Sequence, residues 1–169
     1  MPSRAQPAGR GVLGRFVRII RVEGGSMEPT LRDGDRLLAV RPGPWRPLRP
    51  GAIVVGRVPA HAGGDGSALF VKRLLALPGQ VARVPLDRLA AGRPVGPYAA
   101  TIDGTDATWP VPAGHVFVKG DAPDSADSAS WGPVPRGDLV GVVVMRLLRA
   151  DDQDGDDQDG DDQDGTASS

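Results

Sequence analysis

Cysteine is absent from this 169-residue chain, aromatic residues make up only 4% of it, and lysine occurs only twice among its 20 basic residues. Without cysteine the chain can form neither disulfides nor thiolate-ligated metal sites. The scarcity of aromatic residues and the lack of a nucleic-acid-reading motif argue against a nucleic-acid partner. No apolar run approaches the roughly 20 residues of a membrane-spanning helix. We therefore expect no transmembrane helix, no metal site and no cofactor.

Glycine and proline are abundant, with 24 and 17 residues, so long helices are not expected. Short β-prone segments alternate with turn signals such as Asp33-Gly34 and Pro78-Gly79. This pattern predicts one domain with an all-β, mainly antiparallel, irregular fold and few short helical turns. The predicted strands are 16–22, 35–40, 52–58, 68–77, 80–84, 107–111, 115–119 and 138–148.

The two lysines, Lys72 and Lys119, stand out because arginine supplies the other 18 basic residues. Arginine stays protonated in proteins, whereas a desolvated lysine can become a neutral amine and act as a base. Lys72 lies in the apolar stretch 68–75, which predicts a mostly buried strand. From its surroundings alone, Lys72 is either a snorkelling surface residue or a deprotonated base.

Ser26 is the candidate nucleophile. Gly24 and Gly25 precede it and permit a close approach of substrate to the backbone, and Pro29 fixes the turn that follows. A serine hydroxyl needs a base to accept its proton, and the only histidines, His61 and His115, have the pattern of structural residues. A Ser-Lys dyad is therefore the most economical arrangement.

Three motifs carry a family resemblance. Ser-Met-Glu-Pro-Thr-Leu at 26–31, Val-Lys-Arg-Leu-Leu-Ala-Leu-Pro-Gly at 71–79 and Gly-Asp-Ala-Pro-Asp-Ser-Ala-Asp-Ser-Ala-Ser-Trp-Gly-Pro-Val-Pro at 120–135 occur in that order. Together they resemble the sequence boxes of type I signal peptidases, the S26 group of Ser-Lys peptidases. The resemblance implies an irregular β-barrel or complex β fold of the signal peptidase and LexA-like type. It also implies an endopeptidase that removes leader or signal peptides from precursor proteins after small residues.

The resemblance assigns roles to five residues. Ser26 matches the nucleophile and Lys72 the general base. Ser125 matches a serine that hydrogen-bonds the catalytic lysine, and Asp127 and Arg73 match residues that brace the site, where a carboxylate and a guanidinium can pair.

The resemblance also assigns a substrate-binding region. Four apolar residues match the lining of shallow substrate pockets: Val22, Met27, Leu31 and Val71. A substrate is expected to add as an extended strand beside the Val71–Lys72 strand and the strand that leads into Ser26.

Several positions depart from the family pattern. Gly24 stands where many relatives have a second oxyanion donor, and Ala122 and Ala129 replace an asparagine and an arginine. These departures leave open a catalytically impaired relative that binds peptides. Two other hypotheses are a cytosolic maturation protease for nickel superoxide dismutase and a self-cleaving regulator, although no DNA-binding helical domain precedes the peptidase.

The charge distribution divides the chain. Residues 151–165 repeat Asp-Asp-Gln-Asp-Gly three times and hold 9 of the 21 acidic residues, which leaves 20 basic and 12 acidic residues in 1–150. We expect a flexible basic N-terminus at 1–14, a peptidase domain at 15–149 and a disordered acidic tail at 150–169. A basic body without a span predicts a monomer that is cytoplasmic or peripherally associated with an anionic membrane surface.

Overall fold

A computed structural model describes residues 5–8, 17–89 and 101–148 of the chain, and for 5–8 the backbone alone. The described residues form eleven strands and one short α-helix. The strands are β1 Ala5–Ala8, β2 Val17–Val22, β3 Arg36–Val40, β4 Ile53–Arg57, β5 Leu69–Ala76, β6 Val81–Pro85, β7 Thr101–Asp103, β8 Asp106–Pro110, β9 His115–Lys119, β10 Val134–Pro135 and β11 Leu139–Leu148. Helix α1 spans Ser128–Trp131, and 3₁₀ turns lie at Ala60–Ala62, Leu86–Arg88 and Arg136–Asp138.

Eight strands form one large sheet in the order β1-β2-β3-β11-β4-β5-β9-β10, and every pairing is antiparallel. A further contact pairs Ala5 of β1 with Leu69 of β5. A second sheet has the order β6-β8-β7. Because β5 lies between β4 and β9, it is buried along most of its length and carries its side chains into the interior.

Strand β4 separates two parts of the core. Val54 belongs to a cluster with Phe70 and Trp131, whose ring centroids are 5.8 Å apart. Val55 belongs to a second cluster on the opposite face. This division follows from the strand geometry, because successive side chains point to opposite faces of a sheet. A third cluster, which includes Trp109, packs the small sheet against the large one.

The predicted mainly antiparallel all-β fold is confirmed, and all eight predicted strands are present with small differences at their ends. The prediction was incomplete at Ala5–Ala8, which was assigned to a flexible segment but forms β1 beside β2. Backbone pairing to β2 supplies the hydrogen bonds that the composition of this segment does not reveal. The rest of the predicted N-terminal segment, and the predicted tail after residue 148, lie outside the described residues.

No helix within the described residues is both long enough and apolar enough to cross a bilayer.

Candidate active site

Ser26 lies in a loop that leaves the large sheet at Val22 and returns to it at Asp35. Val22 donates its N–H to the carbonyl oxygen of Asp35 at 2.8 Å, and Gly34 donates to the carbonyl of Val22 at 2.9 Å. Inside the loop, Met27 and Leu31 are fully or almost fully buried. The loop is therefore closed at its base by the backbone and anchored to the core by two apolar side chains.

Gly24 and a neighbouring segment fix the backbone around Ser26. Gly24 has φ of 78°, a conformation that favours glycine, and its N–H donates to Oδ1 of Asp33 at 2.6 Å. The carbonyl oxygen of Ser26 accepts a hydrogen bond from the N–H of Ala122 at 3.2 Å. The loop that carries Ser26 is thus attached to the segment that follows β9.

Lys72 of β5 reaches Ser26. Its Nζ lies 2.5 Å from Oγ of Ser26, although 46 positions separate the two residues in the chain. The lysine is 1% exposed and Ser26 is 8% exposed. Across the strand pair, Lys72 stands opposite Val54 of β4, which is also buried. The amine and the hydroxyl therefore meet where water has little access.

Burial lowers the pKa of Lys72 to about 8, since removal from water disfavours the ammonium form. The charge of Asp127 opposes this change, Lys119 adds to it, and Asp121 opposes it. Among the described residues, no carboxylate lies within ion-pair distance of Lys72 Nζ. The neutral amine is therefore accessible at a mildly alkaline pH, and its Nζ lies within hydrogen-bond distance of the Ser26 hydroxyl oxygen.

Arg73 braces the loops around this contact, but its partner differs from the expected one. Its guanidinium donates through Nε and Nη2 to the two carboxylate oxygens of Asp121, at 2.8 and 2.6 Å. It also donates to the carbonyl of Gly51 at 2.8 Å and lies 3.4 Å from Oγ1 of Thr30. Burial would raise the pKa of Asp121, but hydrogen bonds from Arg73 and Thr30 hold it below its ordinary value. Arg73 thus joins β5, the Ser26 loop and the segment after β9.

Asp127 does not pair with Arg73, so the expectation that these two charges pair was wrong. Its carboxylate instead accepts from Lys119 Nζ and from the N–H of Gly120, each at 2.9 Å. As the N-cap of α1, it also accepts from the N–H of Ala129 at 3.1 Å, and the Ser130 hydroxyl bonds back to complete a capping box. The physical reason is local: the cap geometry turns the carboxylate toward the start of α1 and the end of β9.

Ser125 is buried beside the site, but the expected hydrogen bond to Lys72 is not formed. Its Oγ has no hydrogen-bond partner among the described residues. It lies against Gly120, where an added Cβ would be 2.0 Å from the Ser125 hydroxyl and 2.6 Å from the Ser26 carbonyl. Gly120 therefore permits a close approach of two backbone segments that a side chain would prevent.

The four apolar residues assigned to substrate binding lie beneath the site rather than along an open cleft. Val22 and Met27 are 0% exposed, Val71 is 1% and Leu31 is 2% exposed. They pack together in the second core cluster. Their large apolar side chains stabilise the fold through this burial, so they present almost no surface to a ligand in this structure.

The sequence analysis assigned no role to three residues that the structure places at the site, namely Lys119, Gly120 and Asp121. Two of them belong to the Gly-Asp pair at the start of the third motif, which was used only to recognise the family. Lys119 had a weaker signal: it is the second lysine in a chain that otherwise uses arginine.

Comparison with known proteins agrees with this geometry. Residues 11–148 match the family described as "Signal peptidase, peptidase S26". A protein of Synechocystis sp. named "Probable signal peptidase I-1" is 34% identical over 134 residues, which cover 74% of this chain and 68% of that protein. "Signal peptidase I" of Leptolyngbya laminosa is 34% identical over 130 residues, covering 72% of this chain and 64% of that protein.

A third relative is larger. "Probable thylakoidal processing peptidase 2, chloroplastic" of Arabidopsis thaliana is 32% identical over 129 residues, which cover 72% of this chain but only 35% of that protein. The matched region thus spans from about a third to about two thirds of these relatives' own lengths. With a family match over residues 11–148 and the motifs of that family around Ser26 and Lys72, the chain belongs to the signal peptidase family S26.

Proposed function

We propose that this protein is a serine endopeptidase that uses Ser26 as its nucleophile and Lys72 as its general base to remove leader or signal peptides. The observation that carries the proposal is the 2.5 Å contact between Lys72 Nζ and Ser26 Oγ inside a desolvated site. The lowered pKa of Lys72 supports it, because a base must lose its own proton before it can accept one.

In the first half of the reaction, Ser26 Oγ attacks the scissile carbonyl carbon while its proton moves to Lys72 Nζ. The carbonyl π electrons move onto the oxygen and form a tetrahedral oxyanion. The backbone N–H of Ser26 is the proposed donor to this oxyanion. Collapse of the intermediate breaks the C–N bond, and the Lys72 ammonium returns its proton to the leaving amine. The product is an acyl ester on Ser26 and a released polypeptide with a new N-terminus.

In the second half, Lys72 takes a proton from a water molecule, whose oxygen attacks the ester carbonyl. The new intermediate expels Ser26 Oγ, which regains a proton from Lys72, and the leader peptide leaves as a carboxylic acid that then releases its proton to solvent. Gly24 offers no hydroxyl as a second oxyanion donor. Loss of one such donor costs about 10²–10³ in rate in other acyl-transfer enzymes, so a moderate turnover is expected.

The substrate is proposed to bind as an extended strand beside β5 and the end of β2. The pairing of β1 supports this mode, because Ala5 pairs with both Val22 of β2 and Leu69 of β5. Since β1 already lies there, a substrate that binds in the same place must displace Ala5 from it. The apolar residues beneath leave only shallow space, so alanine or glycine should be favoured at the residue before the cut and two positions earlier. A peptide library tests this: equal cleavage after large or charged residues would rule out the specificity.

Covalent labelling tests the activity itself. A lipophilic serine-acylating probe should add its mass to Ser26, and Ser26→Ala should abolish the labelling. Ser67→Ala is the matched control, because Ser67 is an exposed serine whose hydroxyl donates to Oδ1 of Asp65 rather than to a residue of the site. Absence of acylation in the unchanged protein at pH 9, where Lys72 is mostly neutral, would favour the alternative of an impaired relative that binds peptides.

A peripheral contact with an anionic membrane is proposed as a partner interaction. Ile19 and Met145 are 42% and 56% exposed, and both stand beside Leu38 of β3, one on each neighbouring strand. Trp45, which is 95% exposed, lies close to Arg41 and Arg46 along a groove of about 540 Å³. Exposed aromatic and apolar side chains near arginines suit a lipid surface, where each arginine contributes about 1 kcal/mol.

Vesicle sedimentation tests this contact. The protein should bind vesicles that contain anionic phosphatidylserine more strongly than neutral ones, and high salt should release it because the attraction is screened. Trp45→Ser should weaken binding, whereas Ile102→Ser should not, although Ile102 is 59% exposed on the small sheet. Equal binding by both variants would mean that the Trp45 region is not the contact.

A further inference from the structure

Lys119 is the second of the two lysines, and its environment is as unusual as that of Lys72. It is the last residue of β9 and stands opposite Arg73 in the pairing with β5. Its side chain is only 13% exposed, and its Nζ donates to Oδ2 of Asp127 at 2.9 Å. Withdrawal of an ammonium group from water is costly, so this lysine is held where it is by its ion pair.

The partner carboxylate is almost completely buried. The side chain of Asp127 is 1% exposed, and Lys119 is the only cation that pairs with it among the described residues. Its other donors are the backbone N–H groups of Gly120 and Ala129. Removal of one partner from a buried ion pair leaves an uncompensated charge, so loss of Lys119 would leave the Asp127 carboxylate without a cation.

The charges of this pair act on the catalytic lysine in opposite directions. Burial is the main reason that the pKa of Lys72 is lowered; after burial, Asp127 is the strongest charge acting on it and raises the pKa, while Lys119 lowers it. Asp121 also raises this pKa but is paired with Arg73. Glu28, on the loop of Ser26, is exposed to solvent. Among the groups around Lys72, the Lys119 ammonium is therefore the one that offsets Asp127.

We propose that Lys119 is a positioning residue of this site: by pairing with Asp127 it neutralises that carboxylate and holds the segment 120–127 against the Ser26 loop. The hydrogen bonds of Gly120 to Asp127 and of Ala122 to Ser26 connect the pair to the nucleophile. Where the resemblance expects an arginine, this chain has Ala129, and the cation comes from β9 instead. The inference deepens the proposed function and rests on it.

Removal of the Lys119 charge should shift the pH dependence of cleavage. In Lys119→Met the charge of Asp127 is no longer offset, so the ammonium form of Lys72 is favoured and its pKa rises. The acid limb of kcat/KM should therefore move to higher pH. Since only the neutral amine acts as a base, moving the limb upward by one pH unit lowers kcat/KM about tenfold at a fixed lower pH. We expect a loss of about tenfold at pH 7 that is largely recovered at high pH.

Two further variants separate charge from packing. Lys119→Arg keeps a cation, so the acid limb of its kcat/KM profile should stay at the same pH as in the unchanged protein. Lys119→Gln keeps an N–H donor for Asp127 but no charge, so it should fold and still show the shift. Arg83→Met is the matched control, because it breaks the 3.1 Å ion pair with Asp103, in which both side chains are exposed. This control should leave the limb unchanged. A uniform loss of activity in Lys119→Gln, with the limb at its original pH, would overturn the proposal.

The scarcity of lysine allows a readout that does not require cleavage. With ¹³C-labelled lysine, the protein has only two lysine side chains to observe by NMR, and Lys119→Gln leaves Lys72 alone. Its titration should move to higher pH in the variant. If the unchanged protein does not cleave but Lys72 shifts as expected, the proposed function fails while the role of Lys119 stands. If the protein cleaves and Lys72 titrates identically in both, the role of Lys119 is refuted.

Discussion

Lys72 and Arg73 are neighbours in β5, yet the fold treats their charges in opposite ways. Successive residues of a strand point to opposite faces, so the two side chains enter different surroundings. Lys72 is 1% exposed and meets a serine hydroxyl, and burial lowers its pKa to about 8. The Arg73 side chain is 33% exposed, and its hydrogen bond with Asp121 raises its pKa.

The difference explains how one strand can supply both the proposed base, Lys72, and a brace, Arg73. A cation that is buried without a carboxylate partner loses its proton readily, so it can act in proton transfer. A cation that forms a two-pronged hydrogen bond to a carboxylate keeps its charge and fixes the geometry of the segments it joins. The residue type at each position suits its chemical role, because lysine can be deprotonated and arginine provides the planar fork.

The sharpest way to break this comparison is to make both positions arginine. Lys72→Arg should abolish peptide cleavage, by about 10³-fold or more, because guanidinium cannot accept the serine proton. The kinetics with a quenched fluorescent leader peptide measure this effect, and circular dichroism checks that the fold is retained. Arg73→Lys is the reciprocal control and should reduce activity much less. Appreciable cleavage by Lys72→Arg would refute the dyad.

Gly120→Ala tests whether the segment after β9, which Arg73 joins to the Ser26 loop, positions Ser26 relative to Lys72. The added Cβ would meet the Ser26 carbonyl at 2.6 Å, and a backbone atom cannot move away without displacing Ser26. A displacement of about 1 Å commonly costs about 10² in rate, so a loss of this order in kcat is expected. In Gly137→Ala, no atom lies within 4 Å of the new Cβ, so this control should keep its activity. Comparable rates for the two variants would show that the contact is not important.

The pH profile sharpens the part of the comparison that concerns Lys72. Its pKa is lowered to about 8, and in the proposed mechanism the neutral amine is the active form. Thus kcat/KM should be constant well above pH 8 and fall about tenfold for each pH unit below it. Steady-state kinetics between about pH 6 and pH 10 measure this limb. A limb near pH 10.4, the ordinary range of lysine, would mean that Lys72 is not desolvated in the working enzyme.

The strands and the pairing of Ser26 with Lys72 could be predicted from the sequence, whereas most of the supporting contacts around this pair could not. Alternating apolar residues and turn signals are local, so the eight predicted strands could be recognised directly. Ser26 and Lys72 were identified from their motifs, but the pairing of Asp127 with Lys119 depends on how Asp127, the N-cap of α1, lies beside the end of β9. Such contacts join distant segments, and no periodicity or spacing specifies which carboxylate meets which cation.

Asp121→Asn tests the Arg73 side of the comparison with an effect on stability. The variant loses the charge in a partly buried pair and should lower the free energy of unfolding by about 1–3 kcal/mol at pH 7. Because the pKa of Asp121 is lower in the folded state, its stabilising contribution is present above its ordinary pKa and is lost as the pH falls through the folded-state value. Urea denaturation at pH 7 and pH 3 should therefore show a smaller difference from the unchanged protein at the lower pH. If the two proteins differ in free energy of unfolding by the same amount at both pH values, the carboxylate charge is not responsible for the loss of stability.

The smallest expected effect concerns Ser125, which is buried beside Gly120. Its hydroxyl is buried without a hydrogen-bond partner among the described residues, so Ser125→Ala removes a desolvated polar group without breaking a hydrogen bond. The free energy of unfolding should change by less than about 1 kcal/mol, with the sign toward greater stability. Ser128→Ala is the control, since the Ser128 hydroxyl accepts from the N–H of Val118 at 3.0 Å and its loss should destabilise the fold. Urea denaturation compares the two. A clear loss of stability in Ser125→Ala would mean that this hydroxyl does have a partner in solution, and Lys72 is the one that the family resemblance predicts.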